Sequence, residues 1–374
     1  MNIHFFVRTL NEKSGGGSHY NSIAYIRALR KAGHTVQVHV LYDAQDNAFP
    51  SDIQPVVHGG LGLSFLGERA YLARLLKEYE PEADIFFLYA VEFAWGGGLY
   101  RKRGGTKPVV VYMDAYLASM GMAHPRRAGF AWYRYKRFLW DKTIGLSDAK
   151  HVDRFLPCSP YIGEAYKRYG FPEDKFTVLP NIVPPPDAPA PVARGKGDGL
   201  RVLYAGRFTY DKGVDLLIGA LSEKKFTGAL KLVGDGEMRG AIETAAREAG
   251  LRVEMPGWIP QRELSAYYDA ADIFVHPARW PDPAPRGIVD ALHHGLPVVI
   301  PDTGGGSWIA GSAGRVFKTG DKESLAGALN PLIDDAAVRA RLALAARGEA
   351  HKFEQAVVYP QLEGILKSAI AHHA

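Results

Sequence analysis

HPARWPDPAPRGIVDALHHGLPVVIPDTGGG, residues 276–306, is the stretch whose reading decides the fold. An apolar run, Ala271 to Val275, delivers the chain to it as a strand. Pro281, Pro283 and Pro285 then each remove a backbone donor and fix φ, so no helix runs through the loop. Helix can begin only at Arg286. It carries Ile288, Val289, Ala291 and Leu292 before Gly295 and Pro297 stop it, and Pro297 to Ile300 reads as a new buried strand. Asp282 is therefore expected in a rigid loop at the end of one strand, and Asp290 in the early turns of the next helix. Both carboxylates, with the helix-start N–H groups near Gly287, are expected at the carboxyl edge of a parallel sheet.

Carboxylates accept from hydroxyls and helix N-termini attract anions, so such an edge suits a ligand that carries both hydroxyls and phosphate, as a sugar nucleotide does. The plainer alternative is a capped helix after a proline-rich loop, with two solvated aspartates.

The same alternation runs outward in both directions. A chain of 374 residues is long for one core and predicts two domains. The hydrophobic share of 47% against 23% charged residues is that of a globular protein. Cys158 is the only cysteine, which excludes an internal disulfide, and it reads as a packed residue. No apolar run reaches the ~18 residues of a membrane span, and the start has no secretory pattern. The expectation is a cytoplasmic protein, peripheral at most on the inner face of the plasma membrane.

The opening IHFFV, a loop with Gly15, Gly16 and Gly17, a helix from His19 to Lys31 and TVQVHV form a β-loop-α-β unit. The glycines permit close approach of a phosphate or sugar, or are simply a flexible loop. Further expectations are a helix over 68–80, a strand over 84–89, a glycine turn at Gly96–Gly98, and the strand PVVVYM ending at Asp114. A carboxylate just past a buried strand is a functional candidate or a cap. FLPCS, a helix from Pro160 to Tyr169 and a short strand FTVLPN close the first half. Between Arg126 and Lys142 lie six basic and six aromatic residues, which suit a membrane surface or an anionic acceptor, or a packed helix with a solvated basic face. Nothing resembles a nucleic-acid-binding signature. Residues 1–180 hold 23 Lys and Arg against 17 Asp and Glu, and the remainder 22 against 23, so the first half is the one to meet an anionic partner.

A Pro/Gly-rich linker spans 182–199, and Leu200 restarts the pattern. RVLYAG is a strand, RFTYDKG a loop, VDLLIGAL a helix and GALKLVGDG a strand and turn. In that first loop Arg207 and Lys212 are two cations at a strand's carboxyl end, placed to neutralise a diphosphate or merely surface charge. Helices are expected over 237–249, 263–270, 322–333, 336–347 and 353–371, with a turn at PGWIP.

The ordered blocks AGRFTYDKGVDLLIGAL, LVGDGEMR, PGWIP, the D-x7-D of Asp282 and Asp290 leading into ALHHGLPVV, and DTGGG with GRVF resemble the retaining family-4 glycosyltransferases of GT-B fold. The resemblance covers most of residues 200–350. In the first half it is looser, through the glycine loop, GHTVQV and VLPN. It implies an α/β architecture of two Rossmann-like domains with parallel sheets facing across a cleft. The acceptor-side domain would be 1–181 and the nucleotide-sugar domain 200–352, with the helix of 353–374 returning to the first.

The implied activity is transfer of a sugar from a nucleoside diphosphate sugar to the hydroxyl of a glycan or lipid-linked acceptor, with retention and without a metal or other cofactor, as in bacterial polysaccharide synthesis. By the resemblance Arg207 and Lys212 match the pair on the donor diphosphate, Asp282 the first glutamate of E-x7-E near the sugar hydroxyls, and Asp290 the second, on the ribose. Gly16 and Gly17 match the loop against the donor. The implied catalytic set is Asp114, Arg207, Lys212 and Asp282, with Gly287 among the donor-binding positions. The chain departs from the family in having aspartates for both glutamates, Ala284 and Pro285 for an aromatic-glycine pair, and Asp114 where a histidine is usual. The aspartates suggest one alternative, a catalytically silent nucleotide-sugar-binding subunit; another is a sugar-nucleotide isomerase of the same fold.

Overall fold

The computed structural model describes residues 1–13, 16–43, 47–59, 65–117, 120, 130–186 and 199–373, side chains at 65, 130–134 and 262 excepted. The chain divides into two compact units, one made of residues 1–182 with the segment from Gln355 onward, the other of Val183–Glu354.

In the first unit six parallel strands are described: β1 (Asn2–Val7), β2 (Thr35–Val40), β3 (Val56–Val57), β4 (Ile85–Tyr89), β5 (Val109–Met113) and β6 (Arg154–Pro157), in the order β3-β2-β1-β4-β5-β6. IFFLY and VVVYM are buried along their whole length. Such continuous apolar runs are what a sheet covered by helices on both faces requires. The second unit holds β7 (Arg201–Ala205), β8 (Ala229–Val233), β9 (Arg252–Gly257), β10 (Ile273–Val275), β11 (Val298–Pro301) and β12 (Gly314–Phe317), ordered β12-β11-β10-β7-β8-β9 and again parallel. Each order reverses once, between β1 and β4 and between β7 and β10. At such a reversal the loops leaving the two strands diverge and open a crevice at the carboxyl edge.

The last helix, Gln355–Ala371, belongs to the first unit. His34 Nε2 meets the Tyr359 hydroxyl at 3.1 Å and the Glu363 carboxylate at 3.2 Å.

Three expectations are corrected. Gly96–Gly98 are not a turn; they lie inside the helix Phe93–Lys102 and are buried. Close packing is the reason. An added Cβ at Gly96 would stand 2.7 Å from Leu72 Cβ, at Gly97 2.8 Å from Leu88 and Val109, and at Gly98 2.0 Å from the Asp148 carbonyl oxygen. One glycine faces a helix, one the sheet and one a neighbouring backbone. Gly98→Ala is expected to destabilise by about 1–3 kcal/mol despite alanine's better helix propensity, because a backbone carbonyl cannot step aside. A lowered urea midpoint with unchanged slope would register it, and a raised midpoint would refute the packing account. FTVLPN forms no strand; only Phe176 makes an isolated bridge, to Phe155. The turn at PGWIP begins late, since Pro256 and Gly257 end the edge strand β9, whose residues are at most half-buried.

Gly15 and residues 187–198 of the linker lie outside the described residues, as does Arg126 with the start of the basic-aromatic segment. Its remainder forms the helix Phe130–Trp140 and a wider turn, Asp141–Gly145. Two of its cations turn inward. Arg137 is buried against Asp141 at 2.8 Å, and Lys142 lies over the Tyr169 ring. Tyr135, Phe138, Leu139 and Ile144 are exposed instead.

Candidate active site

The crevice between β7 and β10 gathers most of the expected donor-site residues. β7 ends at Ala205 and the chain turns through Arg207, which is exposed; among the described residues its guanidinium makes no hydrogen bond or ion pair. A short 3-10 turn, Tyr210–Lys212, then presents Lys212 beneath Gly213. Gly213 has φ +66° and no room for a side chain, since an added Cβ would sit 2.1 Å from the Pro277 carbonyl oxygen. That contact draws the loop after β7 onto the loop after β10. Arg279 fastens the two together: its guanidinium makes a bidentate pair with Asp215, both bonds 2.7 Å, and stacks over Tyr210. The amides of Arg279 and Trp280 donate to the Asp211 carbonyl.

Asp282 is held from the other side. Its amide donates to the Trp280 carbonyl and its own carbonyl accepts from the Gly305 amide, each at 2.8 Å. Gly304, at φ +85°, makes this possible, because a Cβ there would lie 2.5 Å from the Asp282 carbonyl oxygen. The glycines of DTGGG thus serve to bring the loop after β11 against Asp282. The carboxylate takes a 2.5 Å hydrogen bond from Lys212 Nζ, and His276 Nε2 stands 3.8 Å from the same oxygen. His276 is buried, and burial above all pushes its imidazole down to about 4, against the raising influence of Asp282. It is a neutral ring at physiological pH.

Helix Arg286–His293 starts directly after Pro285, without a side-chain cap, and buries Ile288, Val289, Ala291 and Leu292. Gly287 packs close to the Phe274 ring and the Tyr268 hydroxyl. Asp290, one turn on, lies 3.5 Å from Arg286 Nε and accepts a 3.3 Å hydrogen bond from Gln261. Arg207, Lys212, Asp282, Gly287 and Asp290 are thus all set at or beyond the carboxyl ends of β7 and β10.

Asp114, Gly16 and Gly17 belong to the other unit. Asp114 follows β5, and Gly16 and Gly17 open the helix Gly17–Lys31 that follows β1. A Cβ on Gly16 would touch nothing within 4 Å, so that side of the loop is open. Ser18, in the first turn, donates a short hydrogen bond to Asp114. The Asp114 carboxyl keeps some exposure yet is closely surrounded, and its pKa is pushed up to about 6. Burial is the main cause, reinforced by Glu92 and opposed by the Ser18 hydrogen bond and Arg8. Behind it Asn21 donates to the Tyr89 hydroxyl at 2.8 Å and accepts from the Ile182 amide at 2.8 Å, a fully buried support for the helix start.

No pattern in the sequence marks His276, Ser18, Arg286, Gln261 or the Arg279–Asp215 pair as part of these sites. Among the described residues no group of three or more His, Cys, Asp or Glu is arranged to hold a metal ion.

Residues 15–185 match the family profile described as Glycosyltransferase Family 4, and residues 192–349 that of Glycosyl transferases group 1. The chain belongs to the family-4 glycosyltransferases. Within that family it is 26% identical over 306 residues to a GDP-mannose-dependent alpha-mannosyltransferase of Mycobacterium tuberculosis, covering 76% of this chain and 74% of the relative. To the lipopolysaccharide core biosynthesis glycosyltransferase LpsE of Rhizobium meliloti it is 32% identical over 214 residues, 55% of this chain and 61% of that one. Its fold matches the crystal structure of Anabaena Alr3699/HepE in complex with UDP with a TM-score of 0.78 at 20% identity, over 98% of this chain and 100% of the other. The two doubly wound sheets are therefore the GT-B fold of this glycosyltransferase.

Proposed function

We propose that this glycosyltransferase moves a sugar from a nucleoside diphosphate sugar to an acceptor hydroxyl with retention of anomeric configuration, in the synthesis of a polysaccharide or lipid-linked glycan. The observation that carries the reading is the convergence of Arg207, Lys212 and Asp282 on the β7–β10 crevice, two cations and a carboxylate on loops braced against each other. Departure of the diphosphate builds negative charge on the leaving group and positive charge on the anomeric carbon. Arg207 and Lys212 would stabilise the first, joined by the uncapped helix start at Gly287. Asp282 would accept from the donor sugar's hydroxyls and Asp290 from the ribose. The GDP-mannose of the related mannosyltransferase and the UDP in the crystal structure of Alr3699/HepE agree in class with this assignment.

In the other unit Asp114, oriented by Ser18, would stabilise the sugar cation or orient the acceptor hydroxyl, with Gly16 and Gly17 admitting the donor. No metal is required in this scheme, because the cations and helix start carry the diphosphate charge. The test is slow hydrolysis of the donor followed by proton NMR. Free sugar released first as the donor's own anomer, with or without EDTA, is the expected result; the opposite anomer or an EDTA-dependent release would overturn retention or metal independence respectively.

Among the described residues no helix is long and apolar enough to cross a membrane. A lipid-linked acceptor would instead be met by the exposed Tyr135, Phe138, Leu139 and Ile144, which suit shallow insertion at an interface. Co-sedimentation with anionic vesicles, reduced in Phe138→Ser with Leu139→Ser, is the expected outcome. Equal recovery in the supernatant with and without vesicles would remove the membrane from the account.

A further inference from the structure

His276 is 7% exposed, and among the described residues its Nε2 has no hydrogen-bond partner. A buried ring nitrogen left unmet is a cost that native structures rarely keep without a reason. The atom nearest in kind is Asp282 Oδ2 at 3.8 Å, too far for a hydrogen bond, and that oxygen is occupied by Lys212 at 2.5 Å. Two donors therefore face one carboxylate, and only Lys212 is bonded to it.

The backbone on both sides is immobilised. The His276 amide donates to the Val299 carbonyl at 2.8 Å, and Asp282 is pinned at both its amide and its carbonyl. What can move is the Asp282 carboxylate, by side-chain torsion, and the flexible Lys212 stem. A bound diphosphate would compete for Lys212, since an ammonium is drawn to the denser negative charge.

We propose that His276 is the positioning residue for Asp282: when a diphosphate takes Lys212, the freed carboxylate turns to accept from His276 Nε2–H, and this fixes it toward the donor sugar's hydroxyls. The inference rests on the nucleotide-sugar reading above. It gives the orphan nitrogen a partner in the liganded state. It also answers the replacement of the motif glutamate by an aspartate, which is shorter by one methylene and has fewer orientations in which it can reach a hydroxyl. Burial keeps the ring neutral, as a single N–H donor to a carboxylate requires.

The test is calorimetric titration of wild type, His276→Leu and His276→Gln with UDP, GDP and ADP and with UDP-glucose, GDP-mannose and ADP-glucose. Wild type should bind one sugar conjugate more tightly than its free diphosphate. His276→Leu should lose that sugar-dependent gain by roughly tenfold, the effect of one hydrogen bond to a charged group, while its affinity for the free diphosphate stays within about twofold. His276→Gln, which carries an N–H at a similar reach, should recover part of the gain. If the leucine variant does not fold, the wild-type imidazole 15N signals decide instead: a protected Nε2–H should emerge with the sugar conjugate. The proposal is overturned if His276→Leu keeps the gain, if it loses diphosphate and conjugate affinity equally, or if the imidazole signal does not respond. Failure of wild type to bind any of the six nucleotides would instead overturn the nucleotide-sugar reading, and this inference with it.

Discussion

Lys212→Ala should lower kcat about 10²- to 10³-fold, the usual consequence of removing one preorganised donor from a developing oxyanion. The loss has two sources. The leaving diphosphate forfeits a cation at the carboxyl end of β7, and Asp282, which Lys212 meets at 2.5 Å in the unliganded site, is left with no lysine between its charge and the diphosphate's. The second source distinguishes Lys212 from Arg207, which is exposed and has no carboxylate partner among the described residues, so Arg207→Ala should weaken donor binding without that repulsion. Because both cations meet one diphosphate, the double variant should lose less than the product of the single losses. Initial rates of nucleoside diphosphate release check this. A Lys212→Ala enzyme within a few-fold of wild type would place the diphosphate elsewhere.

Asp114→Asn should abolish most turnover, about 10²-fold or more if the carboxylate acts at the reacting centre, and yet stabilise the fold near neutral pH. The sign follows from the raised pKa. In the unfolded chain the carboxyl ionises near 3.8, in the folded protein only near 6, so ionisation favours the unfolded state. The penalty is absent below the unfolded value, grows between the two, and is complete above the folded one. At 1.36 kcal/mol per unit it amounts to at most about 3 kcal/mol, less for a group that keeps some exposure. Melting curves should therefore show the asparagine variant ahead of wild type at pH 7.5 and level with it near pH 4. A variant less stable than wild type at pH 7.5 would mean that the Ser18 contact outweighs the burial of charge. The wild-type rate should rise as pH increases through about 6, with that limb missing from whatever activity the variant retains.

Much of this is legible in the sequence. Parallel strands covered on both faces read as unbroken apolar runs, and the runs at 84–89, PVVVYM and Pro297 to Ile300 read as strands within a residue of IFFLY, VVVYM and VVIP. The proline loop and the start of helix Arg286–His293 followed from chain stereochemistry, and with them the placement of Asp282 and Asp290. The spacing of Arg207 and Lys212 after a strand located the second wall of the crevice.

What escaped was set by distant neighbours. Gly96–Gly98 read locally as a turn, but their lack of side chains is used against Leu72, Val109 and Asp148, which no window around them contains. The edge strand RVEMPG has no buried residue, and its terminal Pro256 and Gly257 carry turn chemistry into the strand's end. Ser18 meets Asp114 across 96 positions, so no pattern at Ser18 announces the contact. His276 stood within the deciding stretch and still carried no signal, since a histidine after a strand is commonly a core residue. Its distinction is the unmet nitrogen beside Asp282, a property of the packed structure alone.

The most direct test of the central claim is the thermal stability of wild type with UDP, GDP, ADP and their common sugar conjugates. A ligand at 100 times its dissociation constant adds about 2.7 kcal/mol of stability. The account predicts that one nucleotide series raises the melting temperature selectively, and that the rise disappears in Arg207→Ala combined with Lys212→Ala. No shift with any nucleotide, or a shift that survives the double substitution, would contradict it.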